Sequence, residues 1–91
     1  MSVVGFRKAL FARAFGEVLR TARLGAEFTQ EHLAEAADID RTYPSMLERG
    51  LREPTLGMVI RLARALEVDP VVLIRMTLLR FERFTDGNSG T

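Results

Sequence analysis

The stretch from Thr29 to Gly50, TQEHLAEAADIDRTYPSMLERG, leaves this chain little choice of fold. It reads as two short helices separated by a tight turn. Thr29 is a good N-cap, because its hydroxyl oxygen can accept from a first-turn amide that has no intrahelical partner. Gln30 to Ala37 follow as helix formers, with Leu33, Ala34 and Ala37 on one face. The run breaks at Asp38-Ile39-Asp40. Asp tolerates a left-handed backbone, Ile39 returns the chain to the core, and Asp40 can cap the next helix. That second helix is predicted from about Arg41 to Arg49, with Leu47 inward and Gly50 as its stop. Helices shorter than about 12–15 residues are marginal in water, so both need a bundle around them.

The flanks supply one. From about Gly5 to Arg23, the residues Phe6, Leu10, Phe15, Val18, Leu19 and Ala22 recur at helical spacing with no proline between them, and Gly25 stops the run inside the linker LGAE. After Gly50 the segment LREP forms a loop, and Thr55 caps a helix to about Leu66 whose inward stripe includes Leu56, Val59, Ile60 and Ala63. Asp69-Pro70 is a cap-plus-first-turn signal for a last helix, VVLIRMTLLRFERF. The expected fold is all-α: a compact five-helix bundle with extended first and last helices. Residues 1–14 form an N-terminal helical extension, 15–84 the body, and 85–91 a tail without apolar content that is expected to be disordered. Ninety-one residues make one domain near the lower size limit for a core that needs no covalent staple.

Composition narrows the function classes. Without cysteine there is no disulfide and no thiolate zinc site, which fits a reducing cytoplasm. His32 is the sole histidine, so a metal centre is not expected, and its predicted place is a partly exposed helix position. No nucleophile–base set and no glycine-rich phosphate loop appears, so the chain reads as a non-enzyme with no cofactor. No signal-peptide layout and no run long enough to span a bilayer is present, and a cytoplasmic protein with no membrane partner is expected. The net charge is only +1, but its distribution is uneven. Arg7, Lys8, Arg13, Arg20 and Arg23 face the single acid Glu17 in the first 25 residues, whereas Glu27, Glu31, Glu35, Asp38, Asp40 and Glu48 crowd the central motif. Glu31 and Glu35 lie four apart on one helix side, which can face away from an anionic partner.

The central motif resembles the Xre/Cro/C1 family of phage-repressor-like helix-turn-helix domains. The likeness lies in TQ opening the first helix, LA three residues later, the LERG ending and the P-T-L that begins the next helix. Upstream, LRTARLGAEF is similar to the end of that family's first helix. Downstream, IRLARALEVDP is similar to its fourth helix and the start of its fifth, so the likeness covers roughly Phe15 to Pro70. It implies sequence-specific binding of double-stranded DNA, with the second helix of the pair in the major groove. It further implies a homodimeric transcriptional regulator, a repressor in the first instance, on a palindromic operator.

By the same resemblance, Arg41, Thr42 and Met46 fall at base-reading positions. Arg41 could donate to guanine O6 and N7, Thr42 could bond a base or touch a thymine methyl, and Met46 offers only apolar contact. Tyr43 could reach a phosphate or a methyl. Gln30 matches a position that bonds phosphate and buttresses the reading helix, and Ser45, Arg49 and Arg52 are candidate phosphate ligands. The bland reading of each is a solvated side chain with no partner. Arg23 and Glu48 match a structural ion pair of the family.

Two features depart from or exceed the pattern. Pro44 stands where the family has a branched aliphatic residue pointing into the core. If Asp40 is the cap, Pro44 is the fourth helical residue, forfeits the bond to the Asp40 carbonyl and distorts or resets the first turn. The last helix is apolar most of the way round, which predicts a dimer interface of Val72, Met76, Leu78, Leu79 and Phe81. The competing expectation is that Phe6, Leu10 and Phe11 of the N-terminal extension cover that surface within the same chain. The alternative function is a protein-interaction module such as an antitoxin or anti-regulator, gripping its partner through the acidic motif or the last helix. No separate ligand domain is expected, so any small-molecule effector would have to act on the dimer.

Overall fold

The computed structural model describes the backbone of residues 3–89 and the side chains of residues 7–85. Five helices follow one another: α1 Val3–Gly25, α2 Gln30–Ala37, α3 Tyr43–Glu48, α4 Leu56–Ala65 and α5 Pro70–Ser89. Among the described residues every regular element is helical, as the spacing of apolar residues predicts.

Local capping chemistry sets where the helices begin. Thr29 Oγ1 accepts from the His32 amide at 3.0 Å and Thr55 Oγ1 from the Met58 amide at 3.1 Å. Asp69 Oδ1 accepts from the Val71 amide at 2.9 Å, one residue after Pro70 opens α5. The helices end by a repeated device. Glu27, Asp38 and Glu67 take left-handed backbones at φ of 61°, 56° and 57°. The amides of the next residues, Phe28, Ile39 and Val68, reach back to the carbonyls of Arg23, Ala34 and Ala63 at 3.1, 3.0 and 2.9 Å. Those three apolar residues then pack against the core.

One leucine from each of α1 to α4 forms the centre: Leu19, Leu33, Leu47 and Leu62 have no exposed surface. Phe15, Ala37, Val59 and Leu66 complete that cluster. Burying each leucine contributes about 1.5–3 kcal/mol, which is what holds two helices as short as α2 and α3 in place. α5 joins from outside through Leu73, which packs with Val18 and Ala63 in a second, smaller cluster.

The first helix is extended as expected, with α1 running unbroken from Val3 to Gly25. Two expectations need correction. α5 does not stop at Phe84 but continues to Ser89, so the expected disordered tail is helical that far, while Gly90 and Thr91 lie outside the described residues. The N-terminal part of α1 and the C-terminal half of α5 pack on each other. Phe11 stacks on Phe81 with ring centroids 3.9 Å apart, the Arg13 guanidinium sits 4.6 Å over the Phe84 ring, and Arg80 reaches Glu17 at 2.6 Å. Phe81, expected at a partner face, is thus covered by Phe11 of the same chain, which matches in part the competing expectation. The Phe6 side chain lies outside the described residues. The second correction is the start of α3, which begins at Tyr43 rather than near Arg41.

Candidate functional site

The later start of α3 resolves the difficulty posed by Pro44. Asp40 does not cap a helix beginning at Arg41. Its carboxylate folds a turn instead, with Oδ1 accepting from the Thr42 amide at 2.8 Å and from the Thr42 hydroxyl at 2.6 Å. The Asp40 carbonyl, which Pro44 cannot reach, accepts from the Tyr43 amide at 3.0 Å. Thr42 is then the N-cap residue and Pro44 lies in the first turn, where a missing N–H leaves nothing unpaired. The proline side chain is fully buried, so it occupies the inward position without breaking the helix.

This moves the candidate base-reading residues. Arg41 and Thr42 stand exposed on the turn that leads into α3, not on its outer face. The Thr42 hydroxyl already donates its proton to Asp40. Tyr43 is half-buried with its ring packed against the core, and Ser45 and Met46 are half-buried on α3. Arg49 is exposed and lies back along the helix, its Nε a long 3.4 Å from the Ser45 carbonyl. Arg52 is exposed in the loop between α3 and α4.

Beneath this surface α3 is clamped. Arg23 Nε donates to Glu48 Oε2 at 2.6 Å and Nη2 to Oε1 at 3.0 Å, a bidentate pair. Arg23 Nη1 donates to the Phe28 carbonyl at 2.8 Å, which ties the same guanidinium to the turn before α2. The Gln30 amide nitrogen completes the set by donating to Glu48 Oε1 at 3.1 Å. The two charged side chains are 10% and 4% exposed. The Glu48 hydrogen bond holds the Arg23 guanidinium above its ordinary pKa, against the opposing pull of burial. Among the described residues no buried side-chain nitrogen or oxygen lacks a partner.

Three contributors carry no signal read from the sequence. Arg61 of α4 donates to the Asp38 carbonyl at 2.7 Å and so pins the left-handed residue that ends α2. Glu17 accepts from both Arg13, at 3.3 Å, and Arg80. Gly16 is buried in α1 where a Cβ would lie 2.3 Å from the Leu47 carbonyl oxygen and 2.8 Å from that of Glu48, so α3 rests backbone-to-backbone on α1. A glycine inside a helical run is the available hint, since it costs about 1 kcal/mol against alanine and calls for a packing reason.

The residues expected at a partner face divide. Val72, Met76 and Leu79 are 50%, 45% and 54% exposed, and they fall within about 60° of one another on an ideal helix. Val72 and Met76 border an apolar groove with Val18 and Ala22 of α1 and Val68. Leu78, 47% exposed, is turned about 100° from Leu79 and lies on the other flank with Ile74. Among the described residues no group of His, Asp or Glu is placed to hold a metal ion, and no helix is long and apolar enough to cross a membrane.

A model of the helix-turn-helix family matches residues 19–73, which takes in the end of α1, all of α2 to α4 and the start of α5. The control protein C.BamHI of Bacillus amyloliquefaciens is 38% identical over 66 residues, spanning 71% of this chain and 82% of that protein. The restriction-modification controller protein C.AhdI from Aeromonas hydrophila has a similar structure, with a TM-score of 0.66 at 37% identity over 68% of this chain and 94% of that one. A second similar structure is the controller protein C.Esp1396I, solved as a tetramer in complex with its natural 35 base-pair operator. Its TM-score is 0.71 at 32% identity, over 78% of this chain and 93% of that one.

Proposed function

The chain belongs to the helix-turn-helix family, and from that premise we propose that it is a homodimeric repressor that reads a palindromic operator in the cytoplasm through the segment from Arg41 to Arg49. Regulation of transcription by binding DNA is the function of its class. The finer reading rests chiefly on where Glu48 goes. An acidic motif is a poor partner for phosphate, but the Glu48 carboxylate is turned inward and neutralised by Arg23, and the Asp38 carboxylate lies 3.8 Å from Arg61. The charged side chains that the turn, α3 and the following loop present outward are Arg41, Arg49 and Arg52 together with Asp40 and Glu53, a positive excess. Gln30, with one amide hydrogen directed at Glu48, keeps a second for a phosphate oxygen, the dual role that the family pattern implies.

Two subunits related by a two-fold axis would set their reading segments roughly 34–36 Å apart, one turn of DNA. The exposed flank of Val72, Met76 and Leu79 supports self-association through α5. The tetrameric state of the similar controller protein on its operator also supports an oligomeric reader.

The test is selection of bound duplexes from random DNA, followed by titration of a selected site at several salt concentrations. Affinity is expected to fall steeply with salt, because bound phosphates release counterions. Arg41→Ala is expected to cost about 1–3 kcal/mol and to relax the preference at one base pair per half-site. An equal loss on every sequence would assign Arg41 to phosphate and remove it from base reading.

A further inference from the structure

The turn before α3 holds an acid that neither the capping role nor the clamp accounts for. Between Ile39 and Arg49 the acidic residues are Asp40 and Glu48, and Glu48 is buried against Arg23. Asp40 is exposed, directly precedes Arg41, and is fixed through Oδ1 by the amide and hydroxyl of Thr42 at 2.8 and 2.6 Å. Its Oδ2 makes no hydrogen bond among the described residues. A turn of this kind needs a single acceptor oxygen, which serine or asparagine would supply without a charge. A full carboxylate beside a surface meant for phosphates repels every DNA sequence alike, so its use lies in telling sequences apart.

Resting on the reading of this segment as the base-reading surface, we propose that Asp40 is a specificity-determining residue whose free carboxylate oxygen accepts the major-groove amino hydrogen of cytosine or adenine. An ionised carboxylate only accepts. In the major groove, cytosine N4 and adenine N6 present donors, whereas guanine O6 and thymine O4 present lone pairs that a carboxylate repels. The Thr42 bonds fix the carboxylate before DNA arrives, so little side-chain freedom is lost on contact. They also hold the Asp40 carboxyl below its ordinary pKa, which keeps it ionised in mildly acidic solution. The same bonds direct the Thr42 hydroxyl proton away from the bases, leaving Thr42 its methyl and its lone pairs. Arg41 as donor and Asp40 as acceptor are then adjacent readers of opposite chemistry.

Asp40→Asn tests this directly, because asparagine retains the oxygen that accepts from Thr42 and replaces the free oxygen with a donor. Selection from random duplexes with the unmodified protein is expected to recover cytosine or adenine at one position per half-site. With Asp40→Asn that position is expected to shift toward guanine or thymine by on the order of tenfold or more in relative affinity. Asp40→Ser keeps a turn acceptor and no charge, and is expected to lose the preference without gaining a new one. Circular dichroism is expected to show that both variants keep their helices. An Asp40→Asn protein that retains the original preferences and merely binds all sequences more tightly overturns the proposal, leaving Asp40 as a general repulsive charge. If the unmodified protein selects no sequence at all, the base-reading role of the segment fails, and this inference fails with it.

Discussion

Arg23 directs its whole guanidinium inward. Two nitrogens bond Glu48 and the third bonds the Phe28 carbonyl, so one side chain joins the end of α1, the turn before α2 and the end of α3. Removing either charged partner leaves the other buried and unpaired, and Arg23→Ala or Glu48→Ala is expected to lower unfolding stability by about 3–5 kcal/mol in urea titrations. The double variant is expected to lose much less than the sum, and additive losses would show that the pair is not coupled. Gln30→Ala removes a single hydrogen bond to the same carboxylate and is expected to cost only about 1–2 kcal/mol. The Arg23 guanidinium stays charged throughout ordinary buffers, since its pKa moves upward. Asp40 acts at the acid end. Its folded pKa is lowered, so the turn's contribution is complete above the ordinary carboxylate range and is lost as pH falls through the lowered value. The family pattern made the positions of Arg23 and Glu48 legible. The Phe28 carbonyl as third partner was not, because it depends on how the turn is folded and not on which residue supplies the carbonyl.

At the scale of elements, three turns share one grammar: Glu27-Phe28-Thr29, Asp38-Ile39-Asp40 and Glu67-Val68-Asp69. An acidic residue takes the left-handed backbone, an apolar one docks on the core, and an oxygen-bearing side chain folds the backbone that opens the next element. A left-handed backbone strains any residue with a Cβ by about 1–2 kcal/mol, and glycine avoids that at an entropic cost of about 0.5–1 kcal/mol. Glu67→Gly, at an exposed position, is therefore expected to raise stability by about 0.5–1 kcal/mol, or a few degrees in Tm by calorimetry. A fall in Tm would mean that the glutamate side chain contributes something its exposure does not reveal. The caps at Thr29, Thr55 and Asp69 were readable in the sequence because capping is decided within four residues. The left-handed positions were harder. Gly25 closes α1 as expected, yet the left-handed residue is Glu27, placed by the docking of Phe28. The start of α3 was misplaced for a related reason. The sequence shows that Asp40 can cap and that Pro44 objects, but only the folded turn shows Asp40 bonding Thr42 instead.

For the whole molecule, the open question of self-association turns on α5, whose two exposed flanks make it testable. Leu79→Glu is expected to leave a monomer at micromolar concentration in sedimentation, with little affinity for a palindromic site. Leu78→Glu, on the opposite flank, is expected to remain dimeric. An unmodified protein that sediments as a monomer, alone and on DNA, would remove the flank of Val72, Met76 and Leu79 from consideration as an interface. The amphipathic pattern announced surplus apolar surface on this helix, but it could not apportion it, because Phe11 and Phe81 meet across 70 residues of chain. The placement of the four fully buried leucines, one on each of α1 to α4 and none on α5, has a further consequence. The innermost core is built by the first four helices, and α5 packs on its outside through Leu73, Arg80 and Phe81. Amide hydrogens in α5 are thus expected to exchange with solvent deuterium sooner than those around Leu33 and Leu47, through a partial opening rather than global unfolding. Their protection is expected to grow with protein concentration if a second subunit covers the flank of Val72, Met76 and Leu79.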